Sequence, residues 1–432
     1  MTGVDRAVDQ ADLQGNILCG YGRGYPHGLF LFLRVEQAGR ARDWLAERVP
    51  EVRSALPWSE RPPHTLNFAF SLGGLAALGV SQGILDAFPE DFRQGMAARW
   101  ERLGDSGPSH PDLWMAELRE VHLLVTVSAR ERSVRDARRE LLEGQAREAG
   151  LSVAAAVQTD VPADQREPFG FRDGLSQPSI RDPRAGPWRR TTADPPVSVG
   201  EFVLGYEDEG GTESPAPHGL AANGSYLVVR RLEQDVEGFW EFIAAEAGPD
   251  SERREWLAAK IVGRWRDGTP LTLSPEGPEP GRSSDLGWLN DFTYAHDSDG
   301  FACPVGAHIR RTHPRDSLHR DWRFGNRHRI IRRGMPYASP GAGGERGIMF
   351  ACYQASIERQ FEFVQSQWCA DGNAFGLGSD PDFIAGGPSG KMTIQGRPPT
   401  FVPMRSFVTN RGGDYFLAPG IAGLRHIANG GA

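Results

Sequence analysis

Five histidines, His296, His308, His313, His319 and His328, fall within residues 296–328 of a chain that contains 11. Imidazole is the commonest side-chain ligand for metal ions and for haem iron. Within this run, CPVGAHIRRTHPRD (303–316) sets His308 after a Pro/Gly turn and close to Arg310 and Arg311. A haem needs an axial ligand and cations for its two propionates, and these three residues have the types to supply both. The same segment also reads as a basic surface loop. Zinc suits it poorly. His308 and His313 stand five apart instead of the i, i+4 of helical ligands, and no carboxylate or thiol lies at a matching offset.

Three further segments carry reactive types. In EPFGFRDGLSQP (167–178), Gly170 and Gly174 bracket Asp173. This is a carboxylate presented on a sharp loop, or a plain Asp-Gly turn. In RHRIIRRGMPYASPG (327–341), alternation turns one arginine inward if the strand is half-buried, or the charges protect an exposed edge. In GLGSDPDFIAGG (376–387), Asp380 and Asp382 sit in a glycine-rich loop that also reads as a solvated turn.

Elements able to position such residues recur twice. LFLFLRV (29–35), TLNFAFSL (65–72), VHLLVTVS (121–128) and LSVAAAVQ (151–158) read as strands. AGRARDWLAERV (38–49), GLAALGVSQGILDAF (74–88) and 129–150 read as helices, the last closed by Gly150. After a Gly/Pro/Asp-rich stretch at about 160–222, the theme returns. GSYLVVRRL (224–232), RHRIIRR (327–333), GIMFACYQ (347–354) and DYFLAPG (414–420) are strand-like, while 233–247, 252–265 and 356–368 have helical spacing. The order β-α-β, twice in each half, predicts an α+β fold of two ferredoxin-like, split βαβ halves with antiparallel sheets and peripheral helices. We place the halves at 1–200 and 201–432.

Composition narrows the partners. The chain has 432 residues, 39% apolar and 24% charged, and carries a net charge of −8, which argues against nucleic-acid binding. No apolar run reaches the roughly 18 residues that span a bilayer, so no membrane partner is expected. Two of the 48 basic residues, Lys260 and Lys391, are lysines and the rest are arginines, whose planar fork suits carboxylates. Cys19, Cys303, Cys352 and Cys369 lie far apart and form no disulfide framework. The N-terminal MTGVDRAVDQADLQGNI has no apolar signal core, so a cytoplasmic location is expected.

Taken together, the segments resemble the dye-decolorizing peroxidases. The family's GxxDG motif stands here as Gly170-Phe171-Arg172-Asp173-Gly174. CPVGAHIRR is similar to the proximal motif, and IIRRGMPY to the distal arginine strand, with Arg332 four before the proline. DLQGNIL (12–18), ERGIMFACYQASIERQFEFVQSQW (345–368) and GGDYFLAPG (412–420) match in the same order, so the likeness spans nearly the whole chain. It looks like the larger bacterial and fungal branch. One departure is His313, where the family more usually has Asn.

The resemblance implies haem b held mainly by the C-terminal half. It implies that hydrogen peroxide oxidises a bulky phenolic or dye-like aromatic reductant through a ferryl intermediate. It makes His308 the iron ligand, Asp173 the distal proton carrier and Arg332 the distal cation. Arg310 or Arg311 would meet the propionates, Ile348 and Phe350 would line the distal face, and Gly174 would shape the distal loop. Asp380 would accept the second N–H of His308, with Asp382 as the fallback. Trp188, Trp322 and Tyr337 are candidates for carrying electrons to the surface, or for packing. A haem carrier or iron-releasing protein, a degenerate haem pocket on the same fold, and a peroxidase dedicated to one biosynthetic molecule are the competing readings. A carrier has no use for both Asp173 and Arg332.

Overall fold

In the N-terminal half, β1 (His27–Val35), α1 (Ala38–Arg48), β2 (His64–Phe70), β3 (Leu123–Ala129), α2 (Arg132–Glu148) and β4 (Leu151–Asp160) follow one another. The coordinates are a computed structural model that describes residues 7–181, 193–318, 322–339 and 344–430. The C-terminal half brings β5 (Ser225–Gln234), α3 (Val236–Ala247), α4 (Ser251–Val262), α5 (His308–Thr312), β6 (Ile331–Arg332), β7 (Met335–Ala338) and β8 (Arg346–Gln354). A π-helical stretch over Glu358–Glu362 and Val364–Ala370 follows, then the hairpin β9 (Lys391–Ile394) and β10 (Thr400–Pro403), then β11 (Val408–Ala418) and α6 (Ile421–Ala428). Among the described residues, one nine-stranded sheet runs β4-β1-β3-β2-β11-β5-β8-β6, with β7 also on β8. Each half therefore has the antiparallel order fourth-first-third-second of a ferredoxin-like unit, as the sequence predicts.

The strand β1 shows why the sheet is doubly covered. Leu29, Leu31 and Leu33 enter one core while Phe30 and Phe32, on the other face, enter a second. Alternation by two divides a continuous apolar run between two layers. In α1 the buried residues are Ala41, Trp44 and Leu45, the spacing that faces one side of a helix. A third core joins α3 and α4 to the loops beyond them. It contains Phe239, Ile243, Leu257 and Ile261, together with Ala307 and Phe383.

Several elements are shorter than their sequence patterns suggest. The helix expected over 74–88 is split into Leu72–Ala77 and Gln82–Asp86. The strand expected over 327–333 contracts to Ile331–Arg332, because the N–H groups of His328 and Arg329 close turns onto the carbonyls of Gly325 and Asn326 instead of joining the sheet. Trp188 and His319 lie outside the described residues. All four cysteines are buried and free. No described helix is long and apolar enough to cross a membrane.

The DLQGNIL opening has a mechanical task. The two halves meet where β2 pairs with β11 through Leu417 and Phe70. Gln14, fully buried, fastens this junction. Its Nε2 donates to the carbonyls of Phe68 and Pro419, both at 2.9 Å, and its Oε1 accepts the Phe68 N–H at 3.0 Å. Gln14→Ala would leave those groups unpaired, which costs about 3 kcal/mol. The expected result is an earlier urea midpoint with unchanged chemistry per folded molecule. An unshifted midpoint would remove Gln14 from this role.

Candidate active site

His308 begins α5, and its Nδ1 lies 2.9 and 3.0 Å from the two carboxylate oxygens of Asp382. Asp382 is fully buried, and its Oδ1 also accepts the N–H groups of Ile384 and Ala385 at 2.8 Å. The neighbours Ala307 and Phe383 belong to the third core, so the pair is held from both sides. Gly263 closes α4 at φ +98°, and a Cβ there would lie 2.5 Å from Ile309, so glycine permits the helix end to approach this segment. Burial disfavours ionisation of both partners. Their mutual attraction outweighs it, raising the His308 imidazole above and lowering the Asp382 carboxyl below its ordinary value. With Nδ1 engaged, Nε2 is the nitrogen left for a ligand.

Asp380 stands elsewhere, which corrects the expectation from the family match. Its carboxylate meets Lys391 Nζ at 2.7 Å and the Thr393 N–H at 2.7 Å, anchoring the loop to β9. The expected propionate partners are also redirected. Residue i+2 points to the far side of a helix from residue i. Arg310 is buried there, donating to the Cys303 carbonyl at 2.8 Å and lying 3.3 Å from Asp297. Arg311, fully buried, donates to the carbonyls of Trp368, Asp380 and Asp371. It braces the loop that carries Asp382.

Asp173 and Arg332 come together as a pair, with Oδ1 and Nη1 at 3.2 Å. Their side chains keep 40% and 38% of their surface open, and that of His308 keeps 29%. All three side chains are thus partly open, not sealed into the core. Asp173 and Arg332 also act electrostatically on His308, from within reach of its imidazole. Gly174, at φ +70°, gives the turn a conformation that a side chain would strain, and its N–H donates to the Asp173 carboxylate. Burial opposes ionisation of Asp173, but Arg332, that N–H and His308 together hold its carboxyl below the ordinary value. Cys352 pairs with Arg332 across β8 and β6, which puts the Arg332 side chain on the face that carries Ile348 and Phe350. Both of these are half-buried.

A buried basic cluster was not singled out from the sequence. Arg315 Nη1 meets Asp194 Oδ1 at 2.8 Å, and Arg329 Nη1 meets Asp194 Oδ2 at 3.2 Å. His313 Nε2 lies 3.5 Å from the same carboxylate. Arg264 shares the Phe292 ring with Arg315, and burial followed by the Arg315 charge brings it down to about 10. Arg332 adds to the repulsion felt by Arg264 and Arg329. The signal lay in THPRD, where Arg315 follows the histidine segment, and in the alternating arginines from 327. Trp322 is half-buried, and Tyr337 is buried beneath the Arg231 guanidinium.

The donor set fits a haem. One imidazole is aligned by a carboxylate, among the described residues buried Arg315 and Arg329 share the single carboxylate of Asp194, and an acid–arginine pair lies within electrostatic reach of the imidazole.

Comparison with known proteins agrees. Residues 12–161 match the DyP dimeric alpha+beta barrel domain, and residues 211–377 match the Dyp-type peroxidase, C-terminal family. A dye-decolorizing peroxidase of Mycena epipterygia is 31% identical over 98% of this chain and 88% of its own. A fungal DyP-type peroxidase from Auricularia auricula-judae superposes with a TM-score of 0.86 at 26% identity, covering 98% of this chain and 100% of that one. A dye-decolorizing peroxidase in complex with 2,6-dimethoxyphenol gives 0.84 at 27% identity, with the same coverage. The chain belongs to the dye-decolorizing peroxidase family, haem-dependent oxidoreductases that use hydrogen peroxide to oxidise dyes and phenols.

Proposed function

We propose that this chain is a peroxidase that binds haem b through His308 and activates hydrogen peroxide with Asp173 and Arg332. The observation that carries the reading is the 3.2 Å Asp173–Arg332 pair, which acts electrostatically on the same imidazole that Asp382 aligns. Arg315 and Arg329 hold the propionates, with Arg264 adding charge nearby. Ile348 and Phe350 provide the apolar wall. Bound haem supplies the iron and the electrons that reduce the peroxide oxygen–oxygen bond.

The chain's own residues manage the protons. Ionised Asp173 takes the proton from one oxygen of hydrogen peroxide and delivers it to the other, which departs as water. A carboxylate suits both steps, since it is a base when ionised and an acid once protonated. Arg332 keeps its charge throughout and stabilises negative charge on the departing oxygen. Asp382 holds the His308 ring and increases its basicity. The reductant is a phenolic or dye-like aromatic, and the 2,6-dimethoxyphenol complex of a relative supports that class.

The test is the absorption spectrum of hemin-supplied protein before and after one equivalent of hydrogen peroxide. The expected result is a histidine-ligated Soret band that changes within seconds and returns when 2,6-dimethoxyphenol is added. A Soret band that ignores peroxide would replace this reading with a haem carrier. No Soret band would sink both.

A further inference from the structure

We propose that Gln177 is a positioning residue that sets the spacing of the distal pair by docking the Asp173 loop onto the main chain of Arg332. The inference rests on the proposed roles of Asp173 and Arg332.

β6 is only two residues long and forms an edge of the large sheet. Among the described residues, its outer main-chain groups have no neighbouring strand in that sheet. Such groups need a partner or water. At Arg332 one side-chain amide reaches both groups, and Arg333 Nη1 also donates to the carbonyl at 3.0 Å. Gln177 Nε2 donates to the Arg332 carbonyl at 2.9 Å, and Gln177 Oε1 accepts the Arg332 N–H at 3.1 Å. A primary amide presents a donor and an acceptor side by side, the pattern an adjoining strand would present. Gln177 thus extends the sheet by one residue's worth of pairing.

The loop that carries Gln177 is itself fixed. The Asp173 N–H donates to the Gln165 carbonyl at 3.0 Å, and Asn290 Nδ2 donates to the Leu175 carbonyl at 2.6 Å. Glu167 accepts the N–H groups of Phe169 and Phe171 and the amide of Gln234. These bonds hold the loop, and the arginine strand is registered against it through Gln177. The acid and the cation come from segments 159 positions apart, and the amide clamp joins those segments beside the reacting groups. Small displacements of reacting groups cost up to about 100-fold in rate, so loosening a clamp one step removed should cost about 10-fold.

The experiment compares Gln177→Met and Gln177→Glu holoenzymes with the parent. Met keeps the length and removes both hydrogen bonds. Glu keeps the acceptor and removes the donor, and it serves if the Met variant does not fold. The groups facing Asp173 are Arg332, His308 and the nearby Glu167; Gln177→Met leaves all of them unchanged, whereas Gln177→Glu adds a carboxylate on the Arg332 main chain.

With Gln177→Met, haem content and the apparent KM for a phenol should stay as in the parent. The bimolecular rate with hydrogen peroxide should fall about 10-fold. The acid transition in a Soret-monitored pH titration of the resting protein should move to higher pH, as Arg332 loosens its hold on Asp173. Gln177→Glu should shift both readouts in the same direction, its added negative charge raising the acid transition further. An unchanged rate and an unchanged acid transition would overturn the proposal. So would reduced haem content with a normal rate per haem, which marks a purely structural residue. Asp173→Asn run alongside separates the two failures. If it reacts normally the catalytic reading falls, whereas if it is slow and Gln177→Met is normal, only the role of Gln177 falls.

Discussion

Asp173→Asn should bind haem as the parent does and react with hydrogen peroxide about 10²–10⁴-fold more slowly, the range for loss of a positioned acid–base group. The substitution is nearly isosteric. An asparagine can still accept from Arg332 Nη1 and the Gly174 N–H, so the loop should keep its shape. What it cannot do is take up a proton. Stopped-flow at several peroxide concentrations isolates this step from phenol oxidation. A rate within threefold of the parent would remove Asp173 from the mechanism.

The pH dependence gives the same residue an independent signature. Burial pushes the Asp173 carboxyl up, but Arg332, the Gly174 N–H and His308 push it further down, and the lowering prevails. A group whose value is depressed is in its base form above that value and loses it as pH falls through it. Peroxide reactivity should therefore persist below about pH 4, the ordinary carboxylate range. A distal imidazole would already be protonated below about 6.5. An acid limb near that higher value would point to a histidine base.

What the sequence made legible follows from how local each signal is. The apolar runs of β1 to β4 and the 3.6-residue spacing of α1 are read within ten residues, and both held in the structure. Asp173 and His308 stood out because a Gly-bracketed acid and a Pro/Gly-preceded histidine are local too. Choices that depend on distant partners were not readable. Arg310 and Arg311 are of the right type, yet a buried helix face and the carbonyls of Trp368, Asp380 and Asp371 claim them. Arg315 and Arg329 looked ordinary until the fold gathered them around Asp194. Gln177 carried no charge to draw attention, and its partner lies 155 positions away.

The proximal pair provides the second large effect and decides between two carboxylates that the sequence cannot distinguish. Asp382→Asn should weaken haem binding or slow the peroxide reaction by about 10–100-fold, the usual effect of removing an acceptor behind a ligating histidine. Asp380→Asn should stay within about threefold, since its buried carboxylate is engaged by Lys391 and the Thr393 N–H and not by His308, and an asparagine oxygen can still accept there. The reason lies in the turn. The N–H groups of Ile384 and Ala385 converge on Asp382 Oδ1 and fix the carboxylate inward, where it meets His308. Two residues earlier, Lys391 and the Thr393 N–H draw Asp380 toward the β9 hairpin. Hemin titration of both variants, followed by the iron–imidazole stretching frequency, reads the difference directly. The neutral amide in Asp382→Asn accepts a weaker hydrogen bond, the ring becomes less basic and the frequency falls, while Asp380→Asn leaves it in place. The reverse ranking would return the acceptor role to Asp380. It would require the loop to rotate two residues against four hydrogen bonds, so the structure makes the ranking a stringent test of its own proximal geometry.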